Sequence, residues 1–231
     1  MLGGLSTTFV GRADVGTTKG ERLLAALQRI EYAKARELRV GSHIHSMSGA
    51  GALYRVDAVE HVIADRGALF DERRSNLVED FETTLTLKRL GWSVTAHSWC
   101  VCSTDVMTSV PELLAQRERW TRGTIDELRR HGLTSYTMRT AASIVVGVLL
   151  SIWFLAYPAI IVAVAGVVSV AWIVPGLIIV PVFNAWAARS LGWRIIAVEL
   201  AILPELVYHL LRTWWLAKSV VMSYSSRPQA W

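Results

Sequence analysis

The chain has 231 residues, 52% of them hydrophobic, with 24 Lys and Arg against 19 Asp and Glu and a formal net charge of +5. That balance excludes a disordered or collagen-like protein, and cations interleaved with acids rather than clustered with aromatics speak against nucleic acid as a partner. The average hides an asymmetry, because residues 140–231 hold only five Lys or Arg and two Asp or Glu, so a globular part is expected first and a membrane part second.

The first residues, MLGGLSTTFVGRADVG, lack a basic stretch followed by a long apolar core, so no signal peptide is expected. Gly20 to Leu38 places Leu23, Leu27, Ile30 and Leu38 near helical spacing among charges, which predicts an amphipathic helix. Arg39 to Tyr54 is glycine- and serine-rich, and a short helix is predicted near Val56–Ala64. Asn76 to Leu90 reads as a helix that Gly91 ends by taking the left-handed conformation. Trp92 to Cys102 is β-rich in composition. Cys100 and Cys102, only two residues apart and with no second pair nearby, are expected to form neither a disulfide nor a zinc site and read as small strand residues. Ser109 opens the next helix, with Glu112 three residues on and Pro111 tolerated in the first turn.

From Thr140 to Ala188, 49 positions carry no charge. One crossing of a hydrocarbon core roughly 30 Å thick uses about 20 residues, so this run suffices for a transmembrane hairpin turning between Pro158 and Gly166. Arg129, Arg130, Arg139, Arg189 and Arg194 cluster at its two ends and mark that side as cytoplasmic. A third stretch, Ile195 to Val221, carries Glu205, His209 and Arg212 at i, i+4 and i+7, so it either faces a bundle interior or lies in the interface. That stripe reads as a polar path or as a self-neutralising packing seam. Trp214, Trp215 and Trp231 fit interfacial anchors.

Two constellations carry chemistry. Val78-Glu79-Asp80 opens a helix, where unpaired backbone N–H groups favour an ionised carboxylate and keep it available as a base. Gln116, Arg119 and Trp120 fall at i, i+3 and i+4 and share a face that offers an amide, a guanidinium and an indole. A guanidinium binds diphosphate oxygens and an indole stacks on a sugar. The competing reading of the same spacing is a salt bridge and a packing contact.

VEDFETTLTLKRLGWSV, followed about twenty residues later by PELLAQRERWTRG, resembles the acceptor-side half of the membrane-embedded family 2 glycosyltransferases, the group of cellulose, hyaluronan, chitin and poly-N-acetylglucosamine synthases. The paired motifs (T/V)ED and QxxRW occur in the family's order and separation, and an apolar run follows. The stretch Ser48-Gly49-Ala50-Gly51-Ala52-Leu53-Tyr54-Arg55 resembles the segment whose small residues sit beside the acceptor sugar.

The resemblance implies that Asp80 is the general base on the acceptor hydroxyl, with Glu79 positioning it. It implies that Arg119 holds the diphosphate leaving group, that Gln116 and Trp120 contact diphosphate and acceptor, and that Ser48 and Gly49 line the acceptor site. Arg117, outside the motif, is expected at the surface or on lipid headgroups. The family's D-x-D, whose aspartates hold Mg²⁺ or Mn²⁺, occurs nowhere here, so the metal's main ligands are expected outside this sequence, which reads either as a truncated or split product or as a subunit pairing with a second chain that carries the nucleotide-binding half.

The expectation is therefore an α/β fold, a partial GT-A-like domain over 1–139, with a transmembrane hairpin over 140–188 and a third transmembrane or interfacial helix and tail over 189–231. Its expected activity is inverting hexosyl transfer from a nucleotide-sugar to a glycan or lipid acceptor, at the cytoplasmic face of the cell membrane. Two other readings stay open: a non-catalytic scaffold or glycan-passage subunit descended from such an enzyme, and a self-sufficient transferase binding metal through Asp80 and Glu82.

Overall fold

A computed structural model describes residues 1–39, 44–70, 78–164, 181–201 and 203–225. In chain order these form β1 (Leu2–Gly11), α1 (Lys19–Arg39), β2 (Ala52–Tyr54), α2 (Val56–Arg66), α3 (Glu79–Arg89), β3 (Ser93–Thr104), α4 (Val110–His131) and α5 (Met138–Val164). Helical residues 181–187 (α6), a 3₁₀ turn at Arg189–Leu191, α7 (Trp193–Leu200) and α8 (Leu203–Tyr224) follow. Among the described residues the sheet has three strands in the order β2-β1-β3, with β1 antiparallel to β2 and parallel to β3.

The central strand was not foreseen, because LGGLSTTFVG lacks the β-branched and aromatic alternation that announces a strand. Its small residues answer a packing need. A Cβ on Gly3 would lie 2.9 Å from Cβ of Trp92, and one on Gly4 would lie 2.6 Å from Cε of Met47. Both neighbours belong to the core cluster of Ile44, Met47, Ala58, Val62, Leu87, Trp92 and Val94, which packs α2 and α3 onto the sheet. A second cluster, Ala25, Tyr32 and Val106 with Phe9 against it, packs α1 onto β1.

The helices predicted near 20–38, 56–64 and from Ser109 form, each a few residues longer or shifted. Thr18 and Glu21 build a reciprocal capping box at the start of α1: Thr18 Oγ1 accepts from the Glu21 N–H at 3.2 Å, and the Glu21 carboxylate accepts from the Thr18 N–H at 3.3 Å. Gly91 has a φ of +82°, and its N–H bonds Lys88 O at 3.1 Å, which stops α3 as the sequence implies. Ser109 Oγ accepts from the Glu112 N–H at the start of α4. Ahead of that start, buried Gln28 bonds both backbone groups of Met107, so α1 sets where α4 begins.

The C-terminal part departs from expectation. Ile195–Val221 is not one helix but parts of α7 and α8, broken before Pro204, whose ring is tolerated only in a first turn. Helix α8 packs along α4 and α1 through Tyr208 and Trp215, which join Leu24, Leu27 and Leu113 in one cluster. Trp215 is thus a core residue, 6% exposed, and not an interfacial anchor; Trp214 is exposed, and Trp231 lies outside the described residues.

Among the described residues no helix is long and apolar enough to cross a membrane. Helix α5 runs through Pro158 to Val164, and residues 165–180, where the second arm of the expected hairpin falls, lie outside the described residues. The part of α5 up to Trp153 exposes Val145, Val146, Leu149, Leu150 and Trp153.

Candidate active site

Asp80 stands in the first turn of α3, where backbone N–H groups have no helical partner. Its Oδ1 accepts from the Phe81 N–H at 2.7 Å and its Oδ2 from the Gly49 N–H at 2.9 Å. Both are donors to an anion, so they favour the carboxylate over the acid. Gly49 is close enough that a Cβ there would lie 3.1 Å from Oδ2.

The loop that brings Gly49 to Asp80 is tied down at each step by hydroxyls and one amine. Lys88 Nζ donates to Ile44 O at 2.6 Å, Thr84 Oγ1 accepts from the Met47 N–H at 2.9 Å, and Ser6 Oγ accepts from the Ser48 N–H at 2.8 Å. Thr7 Oγ1 donates to Gly51 O at 2.7 Å. Thr84 also donates to Asp80 O at 2.7 Å, so one side chain couples loop and helix. The Lys88 amine is pushed down to about 8, first by burial and then by Arg139. His45 Nδ1 lies 2.8 Å from Thr140 Oγ1, which links the same loop to the first turn of α5.

Two cavities meet at Asp80. One, of about 310 Å³, is lined by Glu79, Asp80 and Gly49 on one side and by Arg119, Trp120 and Thr124 of α4 on the other, with Phe9 and Met47 completing the wall. The second, of about 210 Å³, is lined by Ser48, Gly49, Glu79 and Asp80 with Tyr54 and Phe70. A carboxylate held as an acceptor, an exposed guanidinium and an indole thus border one cleft, with a second aromatic-lined cleft beyond the carboxylate. The Tyr54 phenol is raised by burial and then by the charges of Asp80 and Glu79, so it faces the site as a neutral hydroxyl.

Of the residues singled out in the sequence, Glu79, Asp80, Gly49, Arg119 and Trp120 share the larger cleft, and Ser48 lines the smaller. Gln116 does not line either cavity, and its Oε1 is buried without a hydrogen-bond partner. Arg117 is not at the surface: it is 4% exposed, its Nη2 donates to Glu31 at 2.9 Å, and its guanidinium lies 4.5 Å from the Trp120 ring centre. Tyr54 and Phe70 carried no separate signal, because an aromatic after a glycine-rich loop reads equally well as core.

Glu82 is buried and paired with Arg66 at 3.3 Å, so it does not converge with Asp80 on a metal. Among the described residues no three His, Cys, Asp or Glu side chains cluster as metal ligands. The donor set at Asp80 is two adjacent carboxylates facing an arginine, which does not by itself fit Mg²⁺ or Mn²⁺.

A family model described as "Glycosyl transferase family group 2" matches residues 21–224. No curated protein matches the chain.

Proposed function

The chain belongs to glycosyl transferase family group 2, and from that premise we propose that it performs inverting hexosyl transfer from a nucleotide-sugar to a glycan or lipid acceptor. The observation that carries the reading is the single cleft bordered by Asp80 on α3 and by Arg119 and Trp120 on α4. Asp80 takes the proton of the acceptor hydroxyl as that oxygen bonds to the anomeric carbon. The bond from that carbon to the diphosphate oxygen breaks in the same displacement, and the charge that develops there is met by Arg119. Trp120 offers a stacking face to a sugar ring, and Ser48 and Gly49 line the side on which the acceptor is held. Glu79 borders both clefts and positions rather than reacts. Gln116 reaches the diphosphate only if its buried amide turns toward the cleft when substrate binds.

Enzymes of this family commonly use a divalent metal. The described residues do not fit one, so we assign the acids that hold Mg²⁺ or Mn²⁺ to a second chain carrying the nucleotide-binding half. The exposed apolar residues of α5 and the arginines near its start, Arg129, Arg130 and Arg139, support an attachment to the cytoplasmic face of the cell membrane. Because Arg119 acts on charge that develops in the transition state, Arg119→Ala is expected to lower kcat roughly 10²-fold or more with little change in acceptor KM. The assay is radiolabelled sugar transfer from a panel of nucleotide-sugars by membranes containing the chain. Undiminished transfer by this variant would favour a non-catalytic scaffold or glycan-passage subunit instead.

A further inference from the structure

We infer that Glu31 of α1 and Tyr208 of α8, acting through Arg117, are positioning residues that hold the Trp120 indole at the wall of the cleft. The inference deepens the reading above and rests on the place of Trp120 in that wall.

Arg117 and Trp120 sit at i and i+3 on α4, so the guanidinium and the indole are neighbours on the helix surface. The guanidinium carbon lies 4.5 Å from the indole centre and 5.4 Å from the Tyr32 ring centre. Its position is fixed from two other helices at once. Glu31 Oε2 accepts from Arg117 Nη2 at 2.9 Å and from the Tyr208 hydroxyl at 2.6 Å. One carboxylate oxygen therefore joins α1, α4 and α8. Burial alone would raise that carboxyl, but Arg117, Arg212, the Tyr208 hydroxyl and Lys34 together bring it below the ordinary range, so it is a stable anion. Burial likewise raises the Tyr208 phenol, so it remains a donor.

An ion pair between buried Arg117 and part-buried Glu31 gives little stability relative to an apolar replacement, so the folded state alone does not account for it. What it does supply is direction. A charge-assisted hydrogen bond from Nη2 to Glu31 holds the planar guanidinium between the Trp120 and Tyr32 rings with a directionality that an apolar side chain lacks. The indole also packs against the cluster of Val78, Phe81 and Leu85, which includes the residue next to Asp80. The clamp thus sets the spacing between the sugar-stacking face and the proposed base. It also makes the C-terminal helix α8 part of the apparatus, so a shift of α8 would reach the cleft through Tyr208.

The test uses the full chain labelled with 5-fluorotryptophan and read by fluorine NMR, with the Trp120 and Trp92 resonances assigned from Trp120→Phe and Trp92→Phe. Trp92 lies in the separate cluster beneath α2 and α3 and reports on general loosening. Glu31→Gln, which keeps the shape and removes the charge, and Tyr208→Phe, which removes only the hydroxyl, are each expected to move the Trp120 resonance and leave that of Trp92 in place. Arg117→Lys is expected to move it further, and should that variant fail to fold, the other two decide. A Trp120 resonance unmoved in Glu31→Gln, or one that moves only together with Trp92, overturns the inference. The measurement needs no substrate, so its failure is distinct from a failure of the glycosyl-transfer reading, which the Arg119→Ala assay reports.

Discussion

At Asp80 the whole account turns on two backbone hydrogen bonds, from Phe81 within the helix and from Gly49 across the cleft. The second depends on a residue without a side chain. Gly49→Ala would bring a methyl to 3.1 Å from Oδ2 and push the N–H away, at a spot where the loop itself is exposed. Transfer is expected to fall roughly tenfold, the weight of one hydrogen bond to a charged group, while the melting temperature stays unchanged; parallel activity and calorimetry check this. The residues that border the cleft were legible because their signals are local: an acid at a helix start, and an arginine and a tryptophan three and four residues after Gln116. Arg117 was not legible, since its partner Glu31 lies far upstream and only tertiary packing brings them together. Gln116 shares the predicted face, yet it sits one turn nearer the start of α4 than Trp120, and that displacement takes it off the cleft wall.

The helices were legible from periodicity and caps, and the strands unevenly. Strand β3 announced itself by composition, whereas β1 carries Gly3 and Gly4 where Trp92 and Met47 leave no room for a side chain. Helix α8 shows why an apolar stripe does not settle its own destination. The same residues suit a lipid interface or a protein core, and α1 and α4 take Tyr208 and Trp215. Even its polar stripe finds partners there, with Lys34 Nζ at 3.2 Å from Glu205 Oε1. Trp215→Ala is therefore expected to cost about 3–5 kcal/mol, and Trp214→Ala less than about 0.5 kcal/mol. Urea unfolding followed by circular dichroism separates the two, and equal small losses would return α8 to the surface. The grip of α3 on the cleft loop has a pH signature. Because the Lys88 amine falls to about 8 in the folded chain, the unfolded chain binds more protons between there and its ordinary value. Stability should therefore rise with pH across roughly 8 to 10.5. Lys88→Gln is expected to lose that rise, and an identical slope in both chains would show that Lys88 does not titrate as described.

Over the whole molecule, one cleft is assembled from elements far apart in sequence: the β1 side and its loop, the start of α3 and the middle of α4, with α8 closing the far side of α4. The motif order implied this convergence, but not that the C-terminal helix would brace it. The apolar flank of α5, with Val145, Val146, Leu149, Leu150 and Trp153 exposed, is the surface through which the proposed membrane attachment would act. The measurement that bears most directly on the central claim is sugar transfer by Asp80→Asn beside Glu79→Gln, in membranes matched for amount of folded chain. The account predicts a loss of about 10²- to 10⁴-fold for Asp80→Asn, the contribution of a general base, and a much smaller loss for Glu79→Gln. Normal turnover by Asp80→Asn, or a greater loss in Glu79→Gln, would contradict the assignment of Asp80 as the base.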